Sequence, residues 1–183
     1  MRVKACCFCF AIFALLAFRP QSSDLSPAEQ YVQNHLSFAI TEMEEFGIPV
    51  SIKLAQGILE SANGSSDLAM GSNNHFGIKC KNYWFGPVYF HPDDDYDEKG
   101  HLIDSCFRVY RSVKDSYRDH SIFLRYSAHY HPLFELDPLD YRSWARQLQR
   151  IGYATHPRYA ENLIAIIERY ELYKFDQMVA LGE

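Results

Sequence analysis

Residues 53–64 read KLAQGILESANG, and they carry a single acid, Glu60, in a segment that is otherwise mostly apolar or small. The apolar residues recur with the spacing of a helix face, so we predict a helix from about Pro49 to Ala62 that Gly64 ends. The opposite face carries Lys53, Gln56, Gly57 and Glu60. Glu60 is therefore either a solvated surface acid or a residue that takes part in the function of the protein.

The position of Glu60 favours an unusual proton affinity. A carboxylate in the last turn of a helix faces the negative end of the helix dipole, which holds its proton more tightly. Apolar neighbours act in the same direction and suit a general acid that works near neutral pH. Most isolated glutamates nevertheless lie on the surface. Position alone therefore leaves both interpretations open.

Helical patterns return in four other segments. A capping box, SPAE at residues 26–29, opens a first helix that Gly47 ends. A second capping pattern, SVKD at residues 112–115, opens a helix after the middle of the chain. A further helix ends at Gly152, and the last begins near Pro157.

The spacing of apolar residues changes between the predicted helix that carries Glu60 and the helix that SVKD opens. Residues 64–75 have the composition of a loop, and FGIKC (76–80), PVYF (87–90) and SCFRVY (105–110) look like short strands. The acidic segment between the last two resembles the end of a long hairpin. The sequence therefore predicts a mainly α (α+β) fold, a helical domain with a small antiparallel β-lobe and a cleft between the two parts.

The N-terminal residues have the pattern of an export signal. A 14-residue apolar run follows the positive start MRVK and precedes the polar RPQSSD. That length suits the core of a signal peptide and is short for a transmembrane helix. We predict an export segment over residues 1–23 and a single domain over residues 24–183. The alternatives are an uncleaved anchor and a buried N-terminal helix.

Charge and cysteine usage restrict the class of protein. Without residues 1–23 the formal net charge changes from −5 to −8, because that segment holds three basic residues and no acid. An acidic protein is a poor candidate for nucleic-acid binding. Outside the apolar run only Cys80 and Cys106 remain, which form either a disulfide or two buried thiols. No cysteine or histidine cluster has zinc spacing, so we predict no metal site.

Two further segments are candidates for chemistry. Five acids crowd the predicted hairpin end, namely Asp93, Asp94, Asp95, Asp97 and Glu98. They are either a solvated turn or the source of a second carboxylate facing Glu60. The second interpretation is considered because most enzymes that cleave glycosidic bonds use a pair of carboxyl groups. The segment GYATHPRYA (152–160) places Tyr153 in an irregular joint between helices. No GxSxG motif is present, and Cys80 lacks the flanking pattern of a cysteine protease.

Four stretches together resemble a known family. LAQGILESANGSSDLA, NNHFGIKC, CFRVYRSVKDSYRDHSIFL and GYATHPRYAENL follow one another in the order and spacing of the glucosaminidase family of peptidoglycan hydrolases, glycoside hydrolase family 73. The resemblance covers roughly residues 30–175. It implies a lysozyme-like fold, a periplasmic or secreted location, and hydrolysis of the β-1,4 bond after N-acetylglucosamine in cell-wall glycan strands.

The resemblance also implies roles for individual residues. Glu60 matches the proton donor, Tyr153 matches a tyrosine that shapes the site, and Asp94 or Asp95 best matches the second carboxylate, with Asp93 next to them. Substrate contacts are expected from Tyr159, Asn74, Phe76 and Gln56. In many relatives the carboxylate of this loop is a glutamate, whereas this chain offers only aspartate at the best-matching positions, and His156 stands where aspartate is common. No cofactor is implied, and we expect a monomer that does not span the membrane.

Three alternatives remain at this point. A distant second carboxylate implies inversion with an activated water, whereas the acetamido group of the substrate can act in its place. A non-catalytic glycan-binding protein could keep the same fold, but it would be expected to lose Glu60 or the tyrosine motif. A protease or amidase would need a metal set or a nucleophile with its base, which the sequence does not offer.

Overall fold

The computed structural model describes residues 25–182, apart from the side chains of Asp94 and Asp95. Over this range the chain forms seven α-helices, one 3₁₀ helix and a two-stranded sheet. The helices are α1 (Pro27–Phe46), α2 (Val50–Glu60), α3 (Asp67–Ser72), α4 (Val113–Tyr126), α5 (Tyr141–Arg150), α6 (Tyr159–Arg169) and α7 (Tyr173–Leu181), and the 3₁₀ helix spans Ala128–Glu135. The antiparallel strands β1 (Val88–Tyr96) and β2 (Leu102–Arg108) lie between α3 and α4. The predicted mainly α fold with a small β-lobe is confirmed.

The predicted export segment, residues 1–23, lies outside the described residues. Within residues 25–182, none of the helices combines the length and the apolar character needed to cross a membrane.

Helix α2 is the centre of the domain. It packs against α1, α5, α6 and α7, and every residue from Val50 to Ile58 is buried. Both faces that the sequence distinguished are therefore enclosed, including the one with Lys53 and Gln56. Buried donors need hydrogen-bond partners, and Lys53 Nζ and Gln56 Nε2 both find them inside the protein.

The end of α2 differs from the prediction. The helix ends at Glu60, and Ala62, Asn63 and Gly64 all adopt the left-handed conformation, with φ of 49°, 60° and 80°. The Ser61 hydroxyl donates to the carbonyl of Gly57 and accepts the N–H of Gly64 at 2.7 Å. These side-chain bonds replace the next helical turn. Glu60 is thus the last residue of the helix.

Other boundaries were predicted with mixed success. The caps of α1 and α4 are confirmed, with the Ser26 and Ser112 hydroxyls accepting backbone N–H groups three residues later. Residues 64–75 were predicted as loop but contain α3, and α7 was not predicted. The strand predicted at residues 76–80 is wrong, since only Lys79 pairs with β2. The Asn74 side chain bonds the N–H and the carbonyl of Ile78, and that carbonyl also accepts the N–H of Arg108 on β2.

The β-lobe, consisting of β1, β2 and residues 76–80, is closed by a disulfide. Cys80 and Cys106 are bonded, with their Cα atoms 5.5 Å apart, so the disulfide alternative is confirmed. At the hairpin end, Asp97 accepts the N–H groups of Lys99 and His101, each at 2.8 Å. These bonds lower the pKa of Asp97, led by the one from His101. Asp97 is therefore a turn residue.

We expect the Cys80→Ser/Cys106→Ser variant to be less stable than the wild type by about 3 kcal/mol, because the crosslink closes a loop whose ends are 26 residues apart in sequence and restricts the unfolded chain. Urea unfolding of the two proteins measures the difference. The wild type unfolded with a reductant present should reproduce the variant's midpoint. An unchanged midpoint after reduction would contradict the prediction.

The N-terminus of α2 is capped from a distant helix. Its own cap position is Pro49, which offers no side-chain hydrogen bond. Asp176 of α7 supplies one instead, since its Oδ1 accepts the N–H of Ser51 at 2.9 Å. A carboxylate at this end of a helix is favoured by the helix dipole. The unpredicted helix α7 thus anchors the helix that carries Glu60.

Burial raises the pKa of Asp176 from 3.8 to about 6, although its bonds to Ser51 oppose the shift. Between these two values the folded state binds more protons than the unfolded state, so stability falls as the pH rises. We expect Asp176 to contribute a loss of up to about 3 kcal/mol across this range. Asp176→Asn should flatten that slope when unfolding is measured from pH 4 to pH 7. Parallel slopes in the two proteins would contradict the assignment.

Candidate active site

A cleft of about 480 Å³ separates the helical part from the β-lobe. Glu60 contributes to its wall from the end of α2, and Asp93 contributes from β1. Apolar and aromatic side chains form much of the remaining wall, including Leu68, Phe76, Ile78, Phe107, Phe123, Tyr130 and Tyr153. A cleft with an apolar lining and a few polar groups is the usual form of a small-ligand site.

Glu60 is held by a chain of hydrogen bonds from the protein side. The hydroxyl of Tyr159 donates to Glu60 Oε1 at 2.8 Å. The amide Nε2 of Gln56 donates to the same hydroxyl at 3.1 Å. The hydroxyl of a tyrosine has a single proton. Because Gln56 donates to the oxygen of Tyr159, that proton remains available for the hydrogen bond to Glu60. Because Oε1 accepts from Tyr159, Oε2 is the oxygen that can carry an acidic proton.

The surroundings raise the pKa of Glu60 above its ordinary value. Burial is the main cause, since it disfavours the charged form. The Tyr159 bond opposes the shift, and the negative charge of Asp93 adds to it. Glu60 therefore keeps its proton at a higher pH than a surface glutamate does, as a general acid requires. The sequence prediction of raised proton affinity agrees with this direction, although burial is the larger cause.

Gly57 allows the last turn of α2 to be braced from behind. A Cβ at this position would lie 2.3 Å from the hydroxyl oxygen of Tyr31 and 3.0 Å from that of Tyr117. Tyr31 is also bonded to His75 Nδ1 at 2.8 Å, and Tyr117 donates to Tyr31 at 3.1 Å. Two tyrosine hydroxyls thus occupy the space beside Gly57 and pack against the backbone that carries Glu60.

The β-lobe places one described aspartate in the cleft. Asp93 Oδ2 lies 2.9 Å from Lys79 Nζ. Asp94 and Asp95 belong to β1 by their backbone, where the pairing with β2 is irregular between Pro92 and Tyr96. Their side chains lie outside the described part of the chain, so the catalytic roles assigned to them stay predictions.

Tyr153 reaches the cleft from the joint between α5 and α6. Its hydroxyl lies 2.9 Å from His120 Nε2, and its ring stacks on that of Tyr159 with centroids 5.6 Å apart. Phe76 also lines the cleft, where its predicted contact with substrate stays a prediction, and its ring stacks on that of His120 with centroids 4.1 Å apart. Tyr153 thus connects the cleft, which its side chain lines, with the buried side chain of His120.

Two predicted substrate contacts need correction. Asn74 is buried, and its amide bonds the backbone of Ile78 and the carbonyl of Arg108 at 2.9 to 3.0 Å. Gln56 is fully buried behind Tyr159, which is itself 3% exposed. These side chains support the cleft wall and do not face a ligand. Sequence reasoning could not tell support of the cleft wall from contact with a ligand.

Three residues near the site were missed by sequence reasoning. Lys79 pairs with Asp93, and His120 bonds Tyr153. Lys53 is completely buried beside His120. Its position in an otherwise apolar helix, on the face that it shares with Glu60, was the available signal. The described part of the chain holds no group of three or more acids, histidines or cysteines arranged for a metal ion.

A helical domain and a small β-lobe with a cleft between them form a lysozyme-like fold. In this protein the cleft holds a protonatable carboxyl group, that of Glu60. The chain belongs to the glucosaminidase family, since the family model described as mannosyl-glycoprotein endo-beta-N-acetylglucosaminidase matches residues 36–172. The suspected resemblance is therefore confirmed over most of the chain.

Relatives and solved structures agree with this assignment. The exo-glucosaminidase LytG of Bacillus subtilis is 32% identical over 86% of this chain, and the chain spans 57% of that protein's length. The glycoside hydrolase domain of FlgJ from Salmonella typhimurium superposes with a TM-score of 0.63 at 26% identity, covering 85% of this chain and 95% of that domain. The catalytic domain of the autolysin Auto from Listeria monocytogenes shares the fold, with a TM-score of 0.74 at 24% identity, 85% of this chain and 91% of that chain.

Proposed function

We propose that this protein is a glycoside hydrolase that cleaves the β-1,4 bond after N-acetylglucosamine in peptidoglycan glycan strands. The observation that carries the proposal is the carboxyl group of Glu60, which lies in the cleft with its pKa raised and with one oxygen bonded to Tyr159. A neutral carboxylic acid in a cleft suits protonation of a glycosidic oxygen. The family model and the exo-glucosaminidase relative support the choice of bond.

The proposed reaction begins with proton transfer from Glu60 Oε2 to the glycosidic oxygen. The bond from that oxygen to C1 of N-acetylglucosamine then breaks, and positive charge develops on the sugar. A hairpin aspartate, Asp94 or Asp95, takes a proton from water as the water attacks C1, which inverts the configuration there. Asp93 lies in the same cleft and is the described competitor for this role. In the alternative mechanism the acetamido oxygen attacks C1 first, and water opens the resulting ring.

The cleft residues divide into two proposed groups. Tyr153 and Phe76 line the cleft and contact the sugar, whereas Tyr159 acts through Glu60. We further propose that the protein is exported and acts in the periplasm or outside the cell. The apolar run at residues 5–18 and the disulfide of the β-lobe support this location. The proposed enzyme is a monomer, and its acidic composition argues against nucleic acid as a partner.

Product analysis tests the proposed function. Purified peptidoglycan is digested with the protein, the new reducing ends are reduced with borohydride, and the labelled sugars are identified after acid hydrolysis. We expect glucosaminitol, the form in which reduced N-acetylglucosamine is recovered after acid hydrolysis. Reduced muramic acid would make the protein a muramidase, and new free amino groups without reducing ends would make it an amidase or peptidase. Binding without any new end would favour a non-catalytic glycan-binding protein.

A further inference from the structure

A buried polar chain connects the centre of the domain with the cleft. Lys53 Nζ lies 2.8 Å from His120 Nδ1 and 2.7 Å from Ser121 Oγ. His120 Nε2 lies 2.9 Å from the hydroxyl of Tyr153, which lines the cleft. Lys53, His120 and Ser121 are all fully buried. Each bond in this chain must therefore be made with a protein partner.

The direction of the bonds follows from the partners of Lys53. The Ser121 hydroxyl gives its proton to the carbonyl of Tyr117 at 3.1 Å, so Ser121 Oγ accepts from Lys53. Lys53 Nζ also lies over the Phe76 ring, 4.8 Å from its centroid, an arrangement that favours an ammonium group. An ammonium group can only donate. His120 Nδ1 therefore accepts from Lys53.

The surroundings act on the charge of Lys53 in opposite directions. Burial lowers the pKa of Lys53, and the buried carboxylate of Glu42 opposes that shift by attraction. Burial also lowers the pKa of His120, with the charge of Lys53 acting in the same direction. His120 is thus a neutral imidazole with one proton, and an acceptor at Nδ1 places that proton on Nε2.

The tautomer of His120 sets the role of Tyr153. When His120 Nε2–H donates to the Tyr153 oxygen, the proton of Tyr153 is free to point elsewhere, and the Tyr153 side chain lines the cleft. With the opposite tautomer, the Tyr153 hydroxyl would donate its proton to His120 Nε2, and its oxygen could only accept a hydrogen bond from a ligand.

We propose that Lys53 is a positioning residue, which holds His120 in the Nε2–H tautomer and thereby makes Tyr153 a hydrogen-bond donor to an oxygen of the sugar in the cleft. This inference rests on the proposed glycosidase function for its catalytic consequence. The bond arrangement itself does not depend on that function. Lys53 and His120 act through Tyr153 and do not touch substrate.

The matched substitution is Lys53→Met, because methionine is unbranched and fills a similar volume without a donor. A two-dimensional spectrum of the protein with 15N-labelled histidine reports which ring nitrogen of His120 carries the proton. We expect Nε2–H in the wild type and a gain of Nδ1–H in Lys53→Met. An Nδ1–H signal for His120 in the wild type would overturn the proposal, even if the variant failed to fold.

Activity on peptidoglycan separates positioning from simple support. We expect Lys53→Met to lower kcat/KM about tenfold, the effect of one lost hydrogen bond. In a Tyr153→Phe background the same substitution should have little further effect, because the hydroxyl through which it acts is gone. Equal losses in both backgrounds would overturn the positioning role. Leu54→Ala, a fully buried neighbour on α2, is the control for a general core defect, and its loss should be the same in both backgrounds.

The two proposals fail in different ways. A wild type that releases no sugar ends from peptidoglycan contradicts the proposed function, while the histidine spectrum still decides the bond arrangement. An active wild type whose His120 has the Nδ1–H tautomer leaves the function standing and removes the inference about Lys53.

Discussion

Replacement of Glu60 by glutamine will lower kcat on peptidoglycan by about 10³-fold or more, because glutamine has no acidic proton to give to the glycosidic oxygen. The amide oxygen of glutamine can still accept the Tyr159 hydroxyl, which lies 2.8 Å from Glu60 Oε1. The shape of the cleft is therefore retained, and the loss should appear in kcat more than in KM. Release of reducing ends at saturating substrate measures it.

The same substitution should not weaken the fold. A carboxyl group whose pKa is raised on folding lowers stability at neutral pH, where the unfolded chain ionises it more readily. Glutamine removes this unfavourable contribution, so we expect Glu60→Gln to unfold at the same or a higher urea concentration than the wild type at pH 7. Loss of activity together with a clear loss of stability would point to a structural role for Glu60.

The pH dependence of the wild type provides a further check on Glu60. Only the protonated acid can donate, so activity should fall as the pH rises through the raised pKa of Glu60. The residual activity of Glu60→Gln should lack this alkaline limb. Glu161→Gln, at an exposed position on α6, is the matched control and should keep both rate and pH profile. An unchanged rate in Glu60→Gln would remove this residue from the mechanism.

The second large effect is expected from the hairpin aspartates. We expect either Asp94→Asn or Asp95→Asn to lower kcat on the order of 10³-fold, since the residue that activates water contributes in the range of a general base. The other substitution of this pair should have a small effect. Single-turnover rates for the two variants identify which aspartate acts. Activity retained in both would contradict the two assignments and would favour attack by the acetamido group.

Asp93→Asn should behave differently from these two. The charge of Asp93 helps to raise the pKa of Glu60, so its removal lowers that pKa and moves the alkaline limb of the pH profile to lower pH. The maximal rate on the acidic side should change little. A loss near 10³-fold at every pH would instead make Asp93, which lines the cleft, the second catalytic carboxylate.

Local sequence patterns fixed much of the architecture in advance. The serine caps of α1 and α4 and the glycine that ends α1 act within one helical turn, so a few neighbouring letters are sufficient to predict them. Strand pairing needs partners far away in the chain. The strand predicted at residues 76–80 was wrong for that reason, because the segment pairs with β2 only at Lys79, while the Asn74 side chain bonds the N–H and the carbonyl of Ile78.

The sequence by itself determined the fold class, the family and the helix that carries Glu60, since all three follow from residue order and short-range periodicity. Only the tertiary structure decided what surrounds that acid. Tyr159 is 99 residues from Glu60 in sequence and Lys53 is 67 residues from His120, yet each pair shares a hydrogen bond. Burial, which chiefly raises the pKa of Glu60, is likewise a property of packing between elements. Glu60 changes from a surface acid to a candidate proton donor because distant parts of the chain enclose it.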